Sequence, residues 1–301
     1  MREMFRHIRR LVQFKSLWLF FFFLKAIMSV LLVIPFFLTT NGILSSSLFS
    51  KGLISDWDMS VIIELFSGRG EIIPVYLISI LIAAVIYMVI MQFLNGGLYY
   101  LIVSGETAPV KWNIFFAECG VNFIMHIKIS LMMLLIYIIL LPAGMLFVNV
   151  LGLAGGNLVG KSVLMMMFFK LGVLAVILLA ASFFSDSIRA ASAAYPEKSF
   201  GEVVKIGARY FRPRLLTLLG IFVLTFLPFL LVWGAVEWLA IQSVEIMAGM
   251  IGIIVEFLLF QISAFTHTGQ KLWYLFYFGR DFNSQNPGRF LPKQAELPLS
   301  N

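Results

Sequence analysis

Six long apolar runs fill the chain, at about 17–38, 72–103, 123–150, 162–185, 214–236 and 244–266, with polar gaps between them. The first reads LWLFFFFLKAIMSVLLVIPFFL and is interrupted only by Lys25. About 20 residues of helix cross the hydrocarbon core of a bilayer, so each run is long enough to span one. The pattern predicts an all-α fold, a polytopic transmembrane helical bundle of about six spans. The basic start MREMFRHIRR is like that of a signal peptide. The run after it is longer than a signal's apolar region, and no A-x-A site follows, so it reads as an uncleaved first span.

The gaps orient the bundle. Arg2, Arg6, Arg9, Arg10 and Lys15 precede the first run, against Glu3. Arg189, Lys198, Lys205, Arg209 and Arg212 fall in the gap near 186–213, and Lys271, Arg280, Arg289 and Lys293 follow the last run. Acids dominate elsewhere, with Asp56, Asp58, Glu64 and Glu71 after the first run and Glu237 and Glu245 around the gap before the last. With six spans the basic gaps share one face. The positive-inside rule makes that face cytoplasmic and places both termini inside. Trp273, Tyr274, Phe276 and Tyr277 on that face, and Trp233 and Trp238 on the other, are expected at headgroup level. The organisation is a single membrane domain over 1–280 and a flexible cytoplasmic tail over 281–301.

Two gaps resemble each other. Pro109, Lys111, Gly120 and Phe123 each lie 87 positions before Pro196, Lys198, Gly207 and Tyr210. The offset suggests an internal repeat, 72–150 and 162–236, each copy a span, an interfacial helix and a span. In the second copy Ser199 and Glu202 form an S-x-x-E capping box. Beyond it Glu202, Lys205 and Arg209 recur at helical spacing opposite Phe200, Val203, Gly207 and Phe211. Amphipathic helices between spans 2–3 and 4–5 would lie in the headgroup plane, with Lys198, Lys205, Arg209 and Arg212 as candidate lipid-interface residues. The plainer reading is an elbow between spans.

Composition agrees with the runs. Hydrophobic residues make up 61% and charged ones 12%, against about 25% charged in soluble domains. The +7 net charge sits beside membrane ends, where anionic lipid explains it better than nucleic acid does. A lone Cys119 leaves no internal disulfide or cysteine metal site. His7, His126 and His267 are scattered, with no carboxylate or second His at ligand spacing. His126 and His267 are expected near cytoplasmic span ends, meeting water or headgroups. The stretch Gly155–Ser162, GGNLVGKS, fits the phosphate-loop pattern G-x-x-x-x-G-K-[ST]. It follows a membrane run rather than a strand, so it reads as a turn between helices, not a nucleotide site. The chain is expected to be non-enzymatic, with no catalytic, cofactor-binding or metal residue.

Charges within the runs are the stronger lead, since each costs at least about 2.5–3.5 kcal/mol to place in lipid. Lys25, Lys170 and Glu256, with Gln261 on the same run as Glu256, form the candidate intramembrane polar site. The competing readings are lysines that snorkel to the interface and an ion pair that fixes helix register. Small residues at Gly96-Gly97, at Ala180, Ala181, Ser182 and Ser185, and at Ala248, Gly249 and Gly252 point to close helix packing or a homodimer face.

The segments SGETAPVKWNIFFAECGVNF and YPEKSFGEVVKIGARYFRPRLL each end in Gly-x-x-aromatic before a span. Over roughly 72–236 the chain resembles a loose group of bacterial six-span membrane proteins, the YciC-type proteins. It is also similar to the membrane domain attached to some glycerophosphodiester phosphodiesterases. The resemblance implies a bacterial inner-membrane location, and the missing catalytic domain means that no activity carries over. The expectation is a scaffold or partner-binding subunit, in contact with the lipid bilayer and with other membrane proteins or a second copy. The alternative is a small transporter or channel around Glu256.

Overall fold

The computed structural model describes residues 12–44, 72–105, 109–153, 161–246 and 250–285. Six helices account for nearly all of them: α1 (Lys15–Leu44), α2 (Ile72–Ser104), α3 (Trp112–Leu153), α4 (Lys161–Ala194), α5 (Phe200–Ile246) and α6 (Met250–Ser284). The GGNLVG turn and the Ala248-Gly249 pair lie outside the described residues, as do the side chains of Glu256 and Gly252.

Five of the apolar runs each lie in one helix, the sixth (244–266) starts in the last residues of α5 and lies mostly in α6, and the chain is an all-α membrane protein. Four helices contain described stretches long and apolar enough to cross a bilayer: Leu77–Ser104, Trp112–Phe147, Met165–Ala194 and Phe200–Gln242. Their outer faces are greasy. Leu216 is 80% exposed and Leu231 76%, an arrangement that lipid tolerates and water does not.

The helices outrun the apolar stretches that announced them. The segments expected as separate interfacial helices are instead the first turns of α3 and α5, with no break before the apolar part. α5 has 47 residues, about 70 Å of helix, against a hydrocarbon core of about 30 Å. The tail boundary also moves, because α6 continues past 281 to Ser284. Gly105 adopts φ 68° just after α2, the left-handed conformation that ends a helix and suits glycine. Ser199 caps α5: its backbone N–H donates to Glu202 Oε2 at 3.0 Å and its hydroxyl to the same oxygen at 2.8 Å. This is half of the reciprocal capping box, the carboxylate arm.

Two compact units divide the chain, and the division falls inside α2, α5 and α6. One comprises 1–91 and 226–273, the other 92–225 and 274–301. In the second, helix pairs cross at glycines. A Cβ on Gly97 would sit 2.5 Å from the Phe115 carbonyl oxygen, and one on Gly207 2.8 Å from Ile188 Cα. Backbone cannot yield as a flexible side chain can, so α2 meets α3, and α4 meets α5, only where Cβ is missing. Gly97→Ala is therefore expected to destabilise the fold by about 1–3 kcal/mol. Gly172→Ala, whose Cβ would meet nothing within 4 Å, is expected to be neutral. Thermal unfolding of both variants in the same detergent checks the pair; equal melting temperatures would contradict the crossing.

Candidate functional site

A buried polar cluster lies in the second unit, where residues of two expected spans meet Asp186, Arg189 and Ser192, which the sequence had placed in a gap. Gln92 and Tyr99 are seven apart on α2, His126 and Ser130 four apart on α3, and Asp186, Arg189 and Ser192 three apart on α4. These spacings put each set on one helix face. The Tyr99 hydroxyl donates to Asp186 Oδ1. Arg189 Nη1 lies 3.9 Å from that oxygen, and Nη2 donates to Gln92 Oε1 and Ser130 Oγ, each at 3.3 Å. His126 and Ser192 meet at 3.4 Å, and the His126 ring packs against that of Tyr99.

Tyr99, His126, Asp186 and Ser192 are all buried. This corrects the expected position of His126, which is wholly enclosed rather than in contact with water or headgroups. It also corrects Arg189, which belongs to α4 rather than to a cytoplasmic loop. Asp186 and Arg189 were legible as an i,i+3 pair among small residues in SFFSDSIRAASAA, a composition that continues a helix. His126 Nδ1, Arg189 Nε and the Tyr274 hydroxyl are buried without a protein hydrogen bond. Such atoms are the usual partners of internal water.

A second polar knot closes the same unit. The Tyr210 hydroxyl donates to Asp281 Oδ2 at 2.6 Å, and Arg214 Nη1 donates to both Asp281 oxygens at 2.6 and 2.9 Å. Asn283 Nδ2 donates to the Val103 carbonyl at 2.6 Å, tying the end of α6 to the end of α2. Trp273, Tyr274 and Phe276 are buried, so these three are not the headgroup anchors expected of them. Trp233 and Trp238 are exposed.

The first unit holds Lys25, Glu256 and Gln261 of the candidate intramembrane site. Trp18 stacks on Phe265 with ring centroids 4.3 Å apart, its Nε1 donates to the Phe265 carbonyl at 2.8 Å, and it fills the space above Gly269. Phe22 also meets Phe265, so α1 and α6 run antiparallel. Lys25 Nζ donates to Thr268 Oγ1 at 3.1 Å, reaching back toward the start of its own helix. That is the snorkelling direction. Lys25 and Gln261 line one cavity of about 400 Å³, with Ser29 and Thr268 as its other polar walls.

Lys170 belongs to the other unit, and the Glu256 side chain lies outside the described residues. Of the interface set, Lys205, Arg209 and Arg212 are exposed on α5, opposite buried Val203 and Tyr210. Lys198 lies over the Tyr195 ring at 5.5 Å. Among the described residues, no three His, Cys, Asp or Glu side chains converge as a metal site.

Fold and site together define a helical membrane protein with a buried polar core. No family model, curated protein or solved structure matches the chain.

The Asp186–Arg189 cluster generates a graded prediction. Asp186→Asn leaves the Arg189 charge buried without its counter-ion and is expected to cost about 3 kcal/mol. Tyr99→Phe removes one hydrogen bond to a charged group and is expected to cost about 1.5 kcal/mol. Reversible unfolding in mixed micelles measures both; a neutral Asp186→Asn would show that the pair does not hold the helices.

Proposed function

We propose that this chain is a six-span, non-enzymatic protein of the bacterial inner membrane, with both termini cytoplasmic, serving as a scaffold or partner-binding subunit. The observation that carries the reading is the bonding of Asp186 and Arg189 across three helices, with Arg189 Nε and His126 Nδ1 left without a protein hydrogen bond. Asp186 is held by Tyr99 and Arg189, and Arg189 by Gln92 and Ser130. A passage for solutes leaves such groups facing a cavity, whereas here they join α2, α3 and α4. The exposed cations Lys205, Arg209 and Arg212, on the amphipathic first turns of α5, then offer a surface to anionic headgroups or an acidic partner. The resemblance to YciC-type proteins is part of the same proposal. So is the internal repeat, and the bonded pair Tyr99 and Asp186 stand at its offset of 87.

A second reading, a small transporter with a polar site around Glu256, is favoured by the cavity beside Lys25 and Gln261. Proteoliposomes separate the two. The scaffold reading expects proton and solute leak equal to that of protein-free vesicles, unchanged by Glu256→Gln. It also expects a photo-cross-linker at position 209 to give a discrete adduct with a membrane partner in intact cells. A flux that the native chain supports and Glu256→Gln abolishes would overturn the scaffold in favour of the transporter.

A further inference from the structure

The cavity between α1 and α6 is graded along its length. At one end Lys25 meets Thr268. About one turn deeper, Ser29 and Gln261 supply a hydroxyl and an amide. Beyond them Val30, Ile34 and Phe257 form an apolar end. From Lys25 to Ile34 is about 14 Å of helix. Among the described residues that line the cavity, Lys25 is the one charged group. The apolar end opens sideways, with Val30 and Phe257 each 59% exposed and Ile34 44%. The volume, about 400 Å³, falls in the range of small-molecule pockets, which run from about 300 to 1,000 Å³.

We propose that this cavity is a binding site for an anionic glycerophospholipid. The sequence of walls follows the sequence of the lipid: a cation for the phosphate, hydrogen-bonding groups for the glycerol esters, and an apolar slot for the start of one acyl chain. A free fatty acid would place its carboxylate on Lys25 and lay methylenes against Gln261 and Ser29, leaving their polar groups unmatched. Lys25 keeps its bond to Thr268 while its other two N–H groups are available to phosphate oxygens. The sideways opening lets a lipid enter from the bilayer. The inference rests on the membrane location of the chain and not on whether it acts as a scaffold.

Native mass spectrometry of the full-length protein in micelles doped equally with phosphatidylglycerol, phosphatidylcholine and palmitate tests it. The expected result is one retained phosphatidylglycerol per chain, favoured about tenfold over phosphatidylcholine, whose phosphate is the same but whose choline cation is repelled by Lys25. Lys25→Met should bring that ratio close to one, and Lys25→Arg should preserve it. Ala264→Phe, which fills the cavity between Gln261 and Thr268 from the α6 side, should lose both phospholipids. Helix content by circular dichroism is expected to match the native chain in all three. Undiminished preference in Lys25→Met, unchanged retention in Ala264→Phe, or retention of palmitate in place of phosphatidylglycerol would each overturn the proposal. Lipid retention is read without flux or partner capture, so this failure is distinguishable from failure of the scaffold.

Discussion

A carboxylate and a guanidinium on one turn of a helix, enclosed by other helices, must be compensated by protein, because the apolar side chains around them offer nothing. That constraint governs the unit around Asp186 and Arg189. Tyr99 approaches the carboxylate from α2, while Gln92 and Ser130 take the guanidinium from α2 and α3. Few arrangements of three helices satisfy all of these groups together. The pair therefore sets register among helices whose apolar faces, rich in Leu and Ile, would pack in many ways equally well. Adding polar bonds in a membrane contributes little raw stability, since competing states also find partners. Their value lies in choosing one packing.

Glycine makes the arrangement sterically accessible. With hydrogen at Gly97 and Gly207, α2 lies directly on α3 and α4 on α5. The Tyr210–Asp281–Arg214 knot then fastens the end of α6 to α5, and Asn283 fastens it to α2. Local sequence, close crossing and polar satisfaction thus agree on the same fold.

All six helices were legible as apolar runs, but their ends were not. Hydropathy reports how much of a helix faces lipid, and α4 continues for another nine residues past 185 on Ser, Asp, Arg and Ala. Counting charges treated Arg189 as a loop cation for the same reason. The aromatic group after the sixth run misled too, since Trp273, Tyr274 and Phe276 turn inward against neighbouring helices instead of outward to headgroups. In the other unit, Lys25 and Gln261 stood out because charge and amide are rare in apolar runs. Thr268 and Ser29 did not, because hydroxyls in helices ordinarily bond their own backbone. Thr268 does so with the Ala264 carbonyl while also accepting from Lys25.

The central claim is that Asp186 and Arg189 act as one structural element. A double-mutant cycle with Asp186→Asn, Arg189→Gln and the combined variant, read by reversible unfolding in mixed micelles, measures it directly. The account predicts that the combined variant is less destabilised than the sum of the single ones by at least about 1 kcal/mol. Strict additivity would contradict it, and the buried cluster would then be no more than polar groups that happen to share a core.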